Sequence, residues 1–348
     1  MHLLINSDRI NLKAFGILPP GSWVLSDRNA FEIAALSKPG TVKLCAYASI
    51  WARSDQPARL LIQRSGAWGD LMFLTPVLRA LKQYNAKGHI SLSCHAKHYP
   101  LFEGNPNIDE LQTYPLKGDG VISTYDHIVT LEEVVEQWTE HASVAMGRHF
   151  NLELQDTECR YEYFVKDHEL LAAQAAFPRT RRPRVSVQLS ANALHRSYPA
   201  HLWNSLIGAL QSKGSELFIF GSKPQLSPFR ESAVLKKIDH PFREAAAIMK
   251  TCDAHVGVDS AWLHMAAALD IPAVGLFGPT DWHKTVMPGS NTIALTGRGD
   301  CVRCNFSPYG GRHFPINHPC ANARVCSVLA DIPIDRIVVK VEQQLNAP

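Results

Sequence analysis

No stretch of the sequence approaches the roughly 20 consecutive apolar residues that a membrane-spanning helix needs. Asp8, Arg9 and Lys13 interrupt the place where a signal peptide would carry its apolar core. A cytoplasmic protein is expected, and peripheral contact with a membrane stays compatible with it. Charge is sparse as well: 19% of residues are charged, the formal net charge is +3, and no block of about five or six like charges occurs. That balance argues against a dedicated nucleic-acid binder. The one dense basic run, at 179–184, is short and bordered by prolines, as solvated linkers are.

What is present is a soluble globular composition, 46% hydrophobic over 348 residues, long enough for two domains with sizeable cores. Residues 1–57 carry short apolar runs separated by Pro-Gly turn signals, and a small β-rich appendage is expected there. From 58 the pattern changes to strand, polar turn, helix. L-L-I at 60–62 is an apolar strand, R-S-G-A-W-G-D at 64–70 a glycine-containing turn, and 71–84 places apolar residues at helical spacing. Further strands are read at 90–94 and 125–131, and 132–150 is mostly helix-compatible. Together with His127, His141 and His149 it could line an acceptor cleft, but none of the three is taken as a site.

A second series begins after the prolines at 178–183. It runs through a strand at 185–189, a polar loop at 190–199, a helix at 200–213, a strand at 217–220 and a helix at 242–251. It culminates in A-H-V-G-V-D-S-A-W-L-H-M-A-A-A-L-D-I-P-A-V-G-L-F-G-P at 254–279, a βαβ unit. Asp259 and Ser260 fall at the end of its first strand and the start of its helix, where unpaired N–H groups and a partial positive charge suit a phosphate. The expected fold is α/β, with two Rossmann-like domains at 58–178 and 179–348 facing a shared cleft.

Three runs, R-S-G-A-W-G-D-L-M-F-L-T-P-V-L-R-A-L at 64–81, G-V-D-S-A-W-L-H-M-A-A-A-L at 257–269 and G-L-F-G-P-T-D at 275–281, together resemble glycosyltransferase family 9, the heptosyltransferases of lipopolysaccharide core assembly. The resemblance implies a GT-B fold, an acceptor-binding N-terminal domain and a nucleotide-sugar-binding C-terminal one. It also implies inversion at the anomeric carbon and no catalytic metal. Asp70, closing the turn that holds Gly66 and Gly69, matches the family's general base; capping of the following helix is the competing reading. Arg196 stands where the family usually has a phosphate-contacting Lys, and Asn192 at a small polar phosphate-binding position. Ser260, Ala261 and His264 would face the diphosphate, and Asp259 would orient the turn or touch the donor sugar. Ala261 departs from the family's usual Gly, with Trp262 beside it, and an altered sugar choice is expected from that departure.

Eight cysteines are present, four of them scattered. The others, Cys301, Cys304, Cys320 and Cys326, fall in an insertion at 299–327 that is rich in Gly, Pro, Asn and His and poor in apolar residues of its own. Four thiolates suit structural zinc or iron, and His313 and His318 are alternative ligands; reduced thiols and disulfides are the other readings. The spacing is similar in kind to the iron finger of the bacterial autotransporter heptosyltransferases, which modify protein hydroxyls and carry an N-terminal appendage. The expected activity is transfer of heptose or a related sugar from an ADP-linked donor to lipopolysaccharide core or a protein Ser/Thr, by a chain that could form homo-oligomers. A nucleotide-sugar epimerase and a non-catalytic nucleotide-sugar-binding protein are the alternatives.

Overall fold

The computed structural model describes residues 57–114, 116, 124–131, 139–191, 196–298 and 326–346, together with the backbone of five strands in the first 46. The chain divides into two compact units, Met1–Glu133 with Ala142–Cys159 and Val134–His141 with Arg160–Pro348.

In the first unit, β1 (His2–Asn6) lies between β4 (Gly21–Leu25) and β5 (Val42–Ala46), antiparallel to both. The strands β2 (Ile10–Leu12) and β3 (Gly16–Leu18) form an antiparallel pair. The rest is a parallel sheet in the order β8-β7-β6-β9, formed by β6 (Arg59–Gln63), β7 (His89–Cys94), β8 (Glu110–Thr113) and β9 (His127–Thr130). Four of the five residues of β6 are buried, as expected of a central strand covered on both faces. The short α1 (Trp68–Met72) and α2 (Thr75–Tyr84) connect β6 to β7. Pro76 sits in the first turn of α2, where its missing N–H costs nothing, and Val77, Leu78 and Leu81 turn one face into the core. A one-turn helix, α3 (Tyr99–Phe102), follows β7, and of 132–150 the structure describes α4 (Ala142–Arg148) as helix.

The second unit opens with α5 (Asp167–Ala176) and is built on a six-stranded parallel sheet in the order β12-β11-β10-β13-β14-β15. Its strands are β10 (Arg184–Gln188), β11 (Glu216–Phe220), β12 (Leu235–Ile238), β13 (Ala254–Val258), β14 (Ala273–Phe277) and β15 (Thr292–Thr296). The chain winds outward from β10 to β12, returns, and winds the other way from β13 to β15. This leaves a topological switch between β10 and β13, the place where open α/β sheets hold ligands. The helices are α6 (Ala200–Ser212), α7 (Lys223–Leu226), α8 (Phe242–Met249), α9 (Ala261–Ala268), α10 (Ser327–Ala330) and α11 (Ile334–Leu345). Val185, Val187, Leu217, Ile219, Val256 and Val258 share one core with Trp203, Leu206 and Leu210 of α6 and Ile337 and Val341 of α11. The other face carries Gln188, Phe220, His255 and Gly257. A Cβ on Gly275 would lie 2.7 Å from Leu263 Cδ2, so the absent side chain lets α9 pack close to the sheet.

The first unit ends at Cys159, and the proline-rich run lies within the second. Helix α5 is tied to the rest of that unit through Glu169, which accepts two hydrogen bonds from Arg243 of α8, at 2.5 and 2.7 Å, with both side chains nearly buried.

At the amino end of the sheet, Arg184 of β10 pairs with Glu216 of β11 at 3.1 Å, with both side chains at most 3% exposed. Arg184 also donates to the Phe177 and Pro178 carbonyls and lies over the Phe218 ring. Removing one partner of such a pair strands a buried charge. Glu216→Ala is therefore expected to destabilise the protein by about 3–5 kcal/mol, and the double change Arg184→Met/Glu216→Leu to recover most of that loss. Urea unfolding midpoints check both.

Candidate functional site

In the first unit, β6 ends at Gln63 and the turn that follows places Asp70 in the first turn of α1. Asp70 Oδ2 accepts the N–H of Ala67 at 2.9 Å, and Oδ1 lies 4.0 Å from Arg64 Nη2. Arg64 is buried and donates to the Leu131 carbonyl. A Cβ on Gly66 would fall 2.7 Å from Asp70 Cβ, so only glycine lets the turn fold over this carboxylate. Gly69 lies within α1, and its carbonyl accepts the Phe73 N–H at 3.3 Å. Asp70 is thus a helix-capping residue through one oxygen, while about a third of its side chain stays exposed. Trp68, from the same turn, meets the edge of His98 with ring centroids 4.8 Å apart. His98 is fully buried, and neither ring nitrogen has a hydrogen-bond partner. Burial, aided by Lys97 and His95, lowers its pKa to about 4.

In the second unit the loop after β10 and the turn after β13 come together at the switch point. Arg196 Nη1 donates to Asp259 Oδ2 at 3.2 Å, and His264 Nε2 lies 3.7 Å from Asp259 Oδ1. Asp259 and His264 are buried, whereas a third of the Arg196 side chain is exposed. Ser260 is the N-cap residue of α9 with extended backbone, yet its hydroxyl makes no capping bond. The Oγ is buried without a partner, an unusual state for a native hydroxyl and one that a ligand's oxygen would relieve. Ala261 begins the helix. Of the second-unit site candidates, Arg196 lies in the loop after β10, Asp259 and Ser260 in the turn after β13 and Ala261 and His264 in the helix that turn opens, while Asn192 falls outside the described residues.

Beside them, at the carboxyl ends of β10, β11 and β12, is a pocket of about 290 Å³. Gln188, Phe220, Gln225, Ile238, Asp239 and Trp262 are among its lining residues. Gln188 Nε2 donates to the Ser190 carbonyl, which leaves Oε1 buried and unpaired at the pocket wall. The Trp262 ring packs against Phe220 and Phe242, at 5.2 and 5.3 Å. Sequence reasoning singled out Trp262 but not its company: the other walls come from the ends of three strands far apart in sequence. The only signal was Gly221-Ser222 directly after β11.

Cys301, Cys304 and Cys320, with His313 and His318, lie outside the described residues. Cys326 is buried in the core of the second unit, its Sγ close to Gly278 at the end of β14. Among the described residues no group of three or more His, Cys, Asp or Glu side chains is arranged to hold a metal ion. No helix among them is long and apolar enough to cross a membrane.

Comparison with known proteins bears on the family and the fold. A family model described as glycosyltransferase family 9 (heptosyltransferase) matches residues 122–305, a span that contains Arg196 and Asp259–His264 and not the turn at Asp70. Lipopolysaccharide heptosyltransferase 3 of Escherichia coli is 22% identical over 297 residues, covering 67% of this chain and 86% of that one. Among solved structures, the family 9 glycosyl transferase of Veillonella parvula DSM 2008 superposes with a TM-score of 0.64 at 16% identity, over 84% of this chain and 99% of that one. TibC, the iron-containing dodecameric glycosyltransferase of enterotoxigenic E. coli H10407, superposes with a TM-score of 0.61 at 12% identity, over 99% of this chain and 90% of that one. That match takes in the N-terminal strands. The two parallel sheets are those of the GT-B fold. The chain belongs to glycosyltransferase family 9, the heptosyltransferase family, and is a glycosyltransferase.

Proposed function

We propose that this chain transfers heptose or a related sugar from an ADP-linked donor to a hydroxyl acceptor, with inversion at the anomeric carbon. The observation that carries the reading is the Arg196–Asp259–His264 group beside the unpaired Ser260 hydroxyl, at the switch point of a six-stranded parallel sheet. The nucleoside occupies the pocket walled by Trp262 and Gln188. The diphosphate lies at the start of α9, where Ser260, the first N–H groups of the helix and Arg196, with Asn192 from the same loop, meet its charge. Asp259 holds the Arg196 guanidinium in place. ADP linkage is supported by TibC, whose structure was solved with ADP-D-beta-D-heptose.

In the reaction, the acceptor oxygen forms a bond to the anomeric carbon as the bond from that carbon to the diphosphate oxygen breaks. The hydroxyl proton passes to Asp70 and ADP departs with the electron pair. The leaving diphosphate is stabilised by the fixed donors and Arg196 rather than by a divalent cation. Acceptors of the right chemistry are lipopolysaccharide core hydroxyls and protein Ser/Thr. Arg196→Ala is expected to weaken ADP binding by about 10- to 100-fold, the worth of charge-assisted hydrogen bonds, with the melting temperature unchanged. Titration calorimetry checks this, and equal affinity in the variant would remove Arg196 from the site.

We also propose that the Cys301, Cys304, Cys320 and Cys326 thiolates hold a structural iron or zinc. Four soft ligands in a segment poor in apolar residues support this, as does the iron in TibC. The burial of Cys94, Cys159 and Cys252 without a disulfide partner fits a cytoplasmic location, and TibC's dodecameric assembly supports a homo-oligomer.

A further inference from the structure

We propose that Tyr161 and His141 are positioning residues for the donor half of the site, setting the plane of the His264 ring. Tyr161 is buried and meets His264 edge-on, with centroids 5.9 Å apart and planes at 87°. Its hydroxyl donates to the Thr285 carbonyl at 2.9 Å, and His141 Nε2 lies 2.9 Å from the Tyr161 hydroxyl oxygen. The His141 ring stacks on the Tyr161 ring at 5.9 Å and 24°. Tyr161 N–H also points at Met287 Sδ, 2.9 Å away, so ring and backbone of this residue are both tied down.

At 3.7 Å, His264 Nε2 is too far from Asp259 Oδ1 for a directional hydrogen bond, so the carboxylate does not by itself set the ring's rotation. The Tyr161 edge restricts that rotation by contact, and the two hydroxyl partners restrict Tyr161. Burial and the neighbouring His264 lower the pKa of His141 to about 4, so it stays neutral at neutral pH and adds no competing cation beside the diphosphate site. His141 is separated from Tyr161 by α4 and its flanking loops, yet it clusters with the second unit, on the donor side rather than with acceptor-side histidines.

The inference rests on the reading of His264 as a donor-site residue, so its test has one arm that needs no donor. In protein carrying ¹⁵N-labelled histidine, Tyr161→Leu is expected to shift or broaden the His264 ring signals, and Tyr161→Phe, which keeps the ring but loses both hydroxyl partners, to move them less. In transfer assays with ADP-heptose, Tyr161→Leu is expected to lower kcat about tenfold or more with donor KM within threefold, as misplacement of a site group does. Tyr161→Phe, which keeps the ring contact and loses the hydroxyl restraints, should recover part of that loss. If Tyr161→Leu fails to fold, His141→Leu and His141→Gln supply the same comparison, the glutamine keeping a hydrogen-bonding partner for the Tyr161 hydroxyl. Unchanged His264 signals and unchanged kcat in folded Tyr161→Leu or His141→Leu would overturn the proposal. Moved His264 signals combined with wild-type ADP affinity in His264→Ala would overturn the donor-site reading of His264 and leave the positioning intact.

Discussion

Asp70→Asn is expected to lower kcat for sugar transfer about 100- to 10,000-fold, the usual contribution of a positioned general base, while donor affinity stays within twofold. The structure makes asparagine the informative choice. Asp70 Oδ2 accepts the Ala67 N–H, so the carboxylate has a capping role besides any chemistry. Asparagine keeps an oxygen for that bond but cannot take a proton at neutral pH. Asp70→Ala removes both, and loses about 0.5–2 kcal/mol of stability with the cap. If Asp70 only caps, Asp70→Asn retains full activity and Asp70→Ala loses stability alone. Steady-state kinetics on the two variants beside their melting curves separate the roles.

The second large effect is on stability in acid. His98, His141 and His255 are buried, and burial, the leading cause in each, lowers their pKa values to about 4, 4 and 3. In the unfolded chain each takes a proton below about pH 6.5. Between 6.5 and the folded values the unfolded state therefore binds more protons, and stability falls as the pH is lowered through that window. The limit is about 1.4 kcal/mol per pH unit for each histidine, or about 4 kcal/mol per unit for all three. The loss levels off below the folded pKa values, once both states are protonated. Hydrogen bonds from Arg243 hold Glu169 below the usual carboxylate range and act in the same direction at lower pH, because protonation there removes a stabilising charge. Urea midpoints at pH 7, 6 and 5 should fall steadily, and a flat profile would mean that these imidazoles are not held neutral. Two of the three lie in the second unit, which should lose its structure first.

Much of the fold was legible because its central strands are short apolar runs followed by polar turns. L-L-I at 60–62, L-F-I-F at 217–220 and A-V-G-L-F at 273–277 are such runs, and each is a buried strand. The edge strands β12 and β15, L-K-K-I and T-I-A-L-T, carry weaker signals because one side of each is less covered. Asp259, Ser260 and His264 could be read from one local motif, and Arg196 from its loop. Their meeting through Asp259 could not, since strand order decides which turns are neighbours, and here β10 and β13 lie side by side across 65 residues of intervening chain. Trp262 shows the limit of a local reading. Its place beside Asp259–Ala261 suggests a part in sugar choice, and the structure adds that its ring packs against Phe220 and Phe242 in the wall of a pocket of about 290 Å³. A change there is expected to act on the base and ribose before it acts on the sugar. His141 was equally opaque, because only the folded chain brings it to Tyr161.

The central claim, that the switch point of the second unit holds an ADP-linked sugar, is tested most directly by native mass spectrometry of the protein with ADP-heptose and no acceptor. The account predicts one donor bound per chain, recovered with its sugar stereochemistry unchanged, and loss of the bound species in Arg196→Ala. Absence of any bound donor in the wild-type protein, or its conversion to an epimer without acceptor, would contradict it.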